Sequence, residues 1–168
     1  YAQAIKGRFT GRGIGIIDAL HLIEVARSIK VMETSSAISK EDLSGLKGWF
    51  SEFLTWISTH EYGKAEMIHP NNHGTCWALQ ASVYADLTGN TEILDYCADR
   101  FKTSIIPLQM AEDGSLPLEL ARTKPYGYSI FNLDAMSTLA QVLTMAGYDL
   151  WNFKTADGKS MELGMNFL

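Results

Sequence analysis

The hydrophobic pattern of this chain predicts an all-α fold made of antiparallel helical hairpins. Three observations carry that reading. Long segments repeat their apolar residues at helical spacing, β-branched alternation is nearly absent, and breakers or capping residues separate the periodic segments. The 168 residues suit one domain, 1–168, and 46% hydrophobic against 20% charged residues excludes a disordered or low-complexity chain. No apolar run approaches the ~18 residues that a membrane span needs. A formal charge of −5 and a pI near 5.3 argue against nucleic acid as the main partner. Cys76 and Cys97 supply no disulfide framework, and buried free thiols are the default for such a pair.

The elements follow in order. Residues 16–32 carry a stripe at Ile16, Ile17, Leu20, Ile23 and Ala26, with Asp18 favourably placed in its first turn. The next helix takes Ser39 as N-cap with Asp42 three residues on, and its apolar face runs Leu43, Leu46, Phe50, Phe53, Leu54 and Ile57, flanked by Trp49 and Trp56. A third is predicted over 75–87 with its stop at Gly89, and a fourth from a Thr91 cap until Pro107 closes it. Glu112-Asp113-Gly114-Ser115-Leu116-Pro117 has turn chemistry, and Pro125 and Gly127 are further breakers. A fifth helix is predicted over 129–146, ending at Gly147, and a last one from about Ser160 onward.

This hairpin rhythm, without an exact internal repeat, suits an (α/α) toroid or a helical array. Five or six helices would make an incomplete (α/α) toroid. The chain opens at Tyr1 without initiator Met or leader pattern and stops after Gly164-Met165-Asn166-Phe167-Leu168. Both ends read as cuts, so the expectation is a piece of a longer chain.

Two polar loops stand out. In the first, Asn71-Asn72-His73-Gly74-Thr75 precedes the third helix and joins two amides, an imidazole and a glycine. It reads either as a ligand-facing turn or as an N-cap in which Asn72 or Thr75 satisfies helix amides. The second, Glu119 to Tyr128, gathers Arg122, Lys124, Tyr126 and Tyr128 before the fifth helix; its plain alternative is tyrosine packing with Arg122 paired to Glu119. Alternate helices of an up-down array point the same way, so both loops fall at one end. That end would combine helix-dipole potential with His73, Arg122 and Lys124, a site for an anion such as a substrate carboxylate. Cations beside a phenol favour its ionised form, which singles out Tyr128.

Asn71-Asn72-His73-Gly74-Thr75, with Trp77 and Gln80 following, resembles the Asn-Asn-His-Gly-Thr motif of alginate lyase-like polysaccharide lyases. Pro117-Leu118-Glu119-Leu120-Ala121-Arg122-Thr123, then Tyr128-Ser129 with Phe131-Asn132-Leu133, is similar to that family's second motif. Gly11-Arg12-Gly13-Ile14-Gly15-Ile16-Ile17-Asp18, Trp49-Phe50 with Phe53-Leu54 and Trp56, and Asp149-Leu150-Trp151 with Asp157-Gly158 resemble further segments in the right order.

The resemblance implies an α/α toroid that cleaves 1,4-linked polyuronate, such as mannuronate-containing alginate or glucuronan, by β-elimination. Asn72, Arg122 and His73 would neutralise the C6 carboxylate so that charge from C5 spreads into it as an enediolate. Tyr128 would take the C5 proton and protonate the leaving O4; for the opposite C5 epimer His73 would be the base and Tyr128 the acid. Tyr128 is preferred over Tyr126 because Ser129 follows it as in the motif.

Asn71, Lys124, Tyr126, Gln80 as a hydroxyl contact, Trp77 as a stacking face and Arg12 as a polyanion contact complete the expected substrate contacts. An acidic polysaccharide is the implied partner, no cofactor or metal is implied, and export or a periplasmic location follows from the size of the substrate. A non-catalytic polyuronate-binding module is the alternative. Family members carry N-terminal helices without counterpart here, and Cys76 stands where an apolar or aromatic residue is usual.

Two other patterns carry little. His69 and His73, four apart, have Pro70 between them and no helix-borne acidic third ligand, so they make a poor metal pair. Gly11-x-Gly13-x-Gly15 misplaces the third glycine of a dinucleotide loop and follows no apolar strand.

Overall fold

The computed structural model describes residues 3–168; Tyr1, where the sequence places one cut end, lies outside them. Among the described residues the regular structure is helical: a 3₁₀ segment Gly13–Ala19, then α1 (Leu22–Met32), α2 (Lys40–Thr59), α3 (Glu61–Met67), α4 (Asn72–Thr88), α5 (Thr91–Arg100), a π turn Phe101–Ile105, α6 (Ile106–Gln109), α7 (Pro117–Leu120), α8 (Pro125–Met145) and α9 (Met161–Phe167). None of these helices is long and apolar enough to cross a membrane.

The centre is α4. Of its 17 residues 14 are buried, so it has no solvent face and packs on all sides. Phe50 of α2 meets Tyr84 at 5.1 Å between ring centroids, while Trp77 donates its indole N–H to the Ile57 carbonyl at 2.9 Å. These contacts run α2 antiparallel to α4. Tyr96 of α5 meets Trp77 edge-on and Arg100 reaches Gly74, which sets α5 antiparallel on another side. Val83 and Leu87 of α4 share a groove with Ala26 and Lys30 of α1 and with Val142 and Met145 of α8, so these three helices end together. Parallel inner helices α1, α4 and α8 with antiparallel outer partners are the arc of an α/α toroid.

Several boundaries differ from the sequence reading. The stripe over 16–32 is split: Leu20 donates to the Ile17 carbonyl, three residues back, and the helical hydrogen bonds of α1 start only beyond it. The third helix begins at Asn72 rather than Thr75, with Asn71 as N-cap accepting from the His73 N–H at 3.1 Å. Asn90, not Thr91, caps α5 through the Ile93 N–H at 3.1 Å. Pro107 does not close the fourth helix; as an early residue of α6 it lacks an N–H that the first turn does not need, and the π turn joins the two pieces. The fifth starts at Pro125, so Tyr126 and Tyr128 lie in its first turn. Ser39 and Ser160 cap their helices as the sequence indicates, and Gly89 ends α4 at φ 76°. Cys76 and Cys97 are buried free thiols, and burial pushes each up to about 12.

Gly74 explains itself by space. A Cβ there would lie 2.1 Å from the His69 carbonyl oxygen, the place where the loop before α4 closes on the helix. Gly45, on the exposed side of α2, would meet nothing within 4 Å. The two glycines should therefore respond oppositely to alanine in chemical denaturation. Gly74→Ala is expected to cost about 1–3 kcal/mol through forced backbone movement. Gly45→Ala is expected to gain about 0.5–1 kcal/mol by removing helix-interior glycine.

Candidate functional site

The two polar loops meet at one end of the inner helices, and a buried carboxylate joins them. Glu119, on α7, is 1% exposed. Its Oε1 accepts from the Asn72 backbone N–H at 2.7 Å and from Asn132 Nδ2 at 3.1 Å. The first of these donors is one of the N-terminal amides of α4 that no helical carbonyl can satisfy. Asn132, two turns into α8, also donates to Gln109 Oε1 at 2.9 Å, and Thr75 donates to the same oxygen at 3.2 Å. Helices α4, α6, α7 and α8 are thereby stitched at one place.

Arg122 extends this network toward solvent. Its Nη1 lies 4.0 Å from Glu119 Oε2, and its guanidinium carbon sits 4.0 Å from the centroid of the Tyr128 ring. The guanidinium thus covers the phenol face while one loose ion pair leaves most of its hydrogen-bonding edge uncommitted. Burial pushes the Glu119 carboxyl above the usual carboxylate range; the Asn72 N–H, Arg122, His73 and Asn132 pull in the other direction without cancelling it.

His73 is held from behind. Its Nδ1 is 2.6 Å from Oε1 of Glu66, a carboxylate on α3 that is 0% exposed. An Nδ1–H donated to Glu66 fixes the ring and leaves Nε2 as the nitrogen available to a ligand. The His69 ring lies beside it, tilted by 44°, with 5.0 Å between ring centroids.

Of the residues singled out in the sequence, Asn72, Arg122 and Tyr128 gather around Glu119, and His73, next to Asn72, is held by Glu66. Asn72 meets Glu119 through its backbone N–H; it is 1% exposed, and its side-chain oxygen has no hydrogen-bond partner among the described residues. Asn71, 8% exposed, is spent on capping α4. Lys124 and Tyr126 are exposed beside the cluster at the start of α8.

Two expectations fail. Trp77 is 0% exposed and holds α2, so it offers no face to a sugar. Gln80 is also 0% exposed; its amide donates to the Ile16 and Cys76 carbonyls at 3.4 and 3.3 Å, and it reaches no hydroxyl outside the core. Arg12 donates to Gln3 at 2.6 Å and lies over the Phe9 ring at 4.9 Å, so among the described residues it is engaged by its own opening segment.

Glu66, Gln109 and Asn132 were missed as site residues. Glu66 belongs to α3, which the sequence pattern did not reveal. Gln109 and Asn132 lie far from the Asn-Asn-His run in sequence; Asn132 falls within the second motif, but nothing in the sequence assigns it a role. Among the described residues no group of three or more His, Cys, Asp or Glu side chains gathers as metal ligands.

The sequence pattern of the family described as Alginate lyase matches residues 1–168. The chain belongs to the alginate lyase family. Among solved structures it is similar to an alginate lyase from Bacteroides ovatus, with 34% identity and a TM-score of 0.92. That match covers 100% of this chain and 45% of the other, so the chain spans less than half the length of its structural relative. No curated protein matches.

Because its folded pKa is raised, Glu119 favours the fold in its protonated form and weakens it as pH rises through and above the carboxylate range. Glu119→Gln keeps an acceptor at Oε1 but cannot ionise. Urea unfolding in steps from about pH 4 to about pH 7 is expected to show the wild type losing stability relative to this variant. A gap that stays constant across that range would mean that the buried charge carries no net penalty.

Proposed function

We propose that this chain carries the catalytic half-cleft of a polysaccharide lyase that cleaves 1,4-linked polyuronate by β-elimination. The observation that supports the reading is the union of Asn72, His73, Arg122 and Tyr128 at the common end of α4 and α8, held by two buried carboxylates, Glu119 and Glu66. Family membership and the fold shared with an alginate lyase point to the same chemistry. Alginate containing mannuronate is the proposed first substrate, and glucuronan would react by the same steps.

The difficult proton is the one on C5, whose removal puts negative charge next to a carboxylate that is already anionic. Arg122 binds that carboxylate with its free edge, and Asn72 supplies its side-chain amide at the positive end of α4. With the charge neutralised, electrons from the C5–H bond delocalise toward the carboxylate as an enediolate. They then form the C4=C5 double bond while the C4–O4 bond breaks. Tyr128 removes the C5 proton and returns one to O4, with His73 completing the carboxylate shell. For the opposite C5 configuration, His73 acts as base from Nε2 and Tyr128 as acid. Glu66 positions His73 for either task. A polymer of this kind does not cross a membrane unaided, so a secreted or periplasmic location accompanies the reading.

Ultraviolet absorbance of the new 4,5-unsaturated uronate tests the proposal directly when purified mannuronan, guluronan and glucuronan are added to the chain. A rise with at least one polymer is expected; binding without any rise would leave a grip without turnover and sink the lyase reading. Tyr128→Phe is expected to lower kcat by about 10²–10⁴-fold with helicity unchanged, the range typical of a lost general acid–base. Glu66→Gln is expected to lower kcat by about 10²-fold while changing KM little, since it disturbs ring orientation rather than contact with the sugar.

A further inference from the structure

A recess of about 160 Å³ lies on the outer flank of the first turn of α4, lined by His69, Pro70, Arg100, Ser104, Leu108 and Gln109. Its chemistry is that of an oxyanion site with its own donors. Arg100 makes no ion pair among the described residues, and its Nε is shielded from solvent without a hydrogen-bond partner. His69 Nδ1 is in the same condition. Two shielded nitrogens without partners are costly in a folded protein unless a ligand or solvent satisfies them.

The walls are built rather than incidental. Gly74 lets the guanidinium come flush against α4, since a Cβ there would lie 3.2 Å from Arg100 Nη2. The π turn Phe101–Ile105, which ends two residues before Pro107, carries half-exposed Ser104 into the lining. Such turns recur at functional sites because they redirect side chains that a regular helix would stack. Gln109 accepts from Thr75 and Asn132 through its oxygen, which leaves its amide N–H groups for the recess. His69 lies 5.0 Å, ring to ring, from His73, so the recess adjoins the cluster described above.

We propose that the Arg100–His69 recess is a second oxyanion-binding subsite, which takes the carboxylate of a uronate unit beyond the one being cleaved. The assignment of the polymer as the source rests on the lyase reading; the oxyanion chemistry does not. A polyuronate presents a carboxylate on every sugar, so a groove that engages only one forgoes the affinity available from its neighbours. Arg100 suits the task because its fork can hold both oxygens, with the His69 nitrogen and the Ser104 hydroxyl as flanking donors.

The test follows the four histidine Hε1 resonances of the chain by NMR during titration with sodium sulfate and, separately, with a saturated tri-uronate. The expected result is a saturable shift of the His69 signal with both probes, at a concentration at least tenfold lower for the tri-uronate. Arg100→Gln should raise both half-saturation points at least tenfold. Arg100→Lys, which keeps the charge but not the fork, should fall between, and Arg8→Gln on the exposed opening segment should change nothing.

An Arg100-dependent shift with sulfate but none with the tri-uronate supports the oxyanion site and overturns its assignment to the polymer. A tri-uronate that moves His73, with a His69 shift unaltered by Arg100→Gln, overturns the recess while leaving the lyase reading in place. No saturable His69 shift with either probe overturns the proposal outright. Circular dichroism on each variant establishes that it is folded, and Arg100→Lys carries the comparison should Arg100→Gln fail to fold.

Discussion

One buried carboxylate governs the end of the molecule where the chemistry gathers. Glu119 sits with one oxygen on a free amide of α4 and on Asn132 of α8, and so sets the distance between two helices that arrive from different parts of the chain. A carboxylate without solvent needs donors, and a helix N-terminus is a ready supply of them. The loops before α4 and α8 have few alternative positions once that bond is made. The other oxygen is less well served. Among the described residues it has only Arg122 at 4.0 Å, too far for a tight bidentate pair. That looseness matters because a guanidinium locked onto Glu119 would have no edge left for a substrate.

Two acids therefore do different work from similar burial. Glu119 organises backbone and amides, and burial shifts its proton equilibrium upward. Glu66 touches an imidazole at 2.6 Å and fixes which nitrogen of His73 faces outward. Placed on separate short helices, α7 and α3, they hold different members of the cluster. The reactive edge, made of His73, Arg122 and Tyr128, stays half-exposed over this rigid base. Preorganisation of that kind is what removing a weakly acidic carbon-bound proton demands, since donors aimed in advance need no rearrangement when charge develops.

The order of helices was legible because apolar periodicity is strong and the caps are explicit, as at Ser39, Gly89 and Ser160. Convergence of the two loops followed from helix parity alone. The boundaries were less legible. Asn72 looks like a cap, yet it lies inside α4 because Asn71 takes the capping role. Pro107 looks like a stop, yet a π turn carries the chain through. Trp77 and Gln80 follow the motif in sequence, but a helix turns residues that are neighbours in sequence toward different partners. Both point into the core, and their polar atoms serve backbone carbonyls there. Glu66 was hidden because α3 is only 7 residues long, too short for its periodicity to declare itself. Membership of the alginate lyase family, by contrast, was visible in runs of residues that fall just where the structure places its polar cluster.

The central claim is that Asn72 and Arg122, which lie 50 positions apart, act on one and the same carboxylate. A double-mutant cycle measures this most directly, using calorimetric binding of a saturated tri-uronate to a Tyr128→Phe background with Asn72→Ala and Arg122→Gln singly and together. Groups sharing one ligand atom set should show a coupling energy of about 0.5–3 kcal/mol. Strictly additive losses would mean that the two residues grip separate parts of the sugar chain, and would contradict the account.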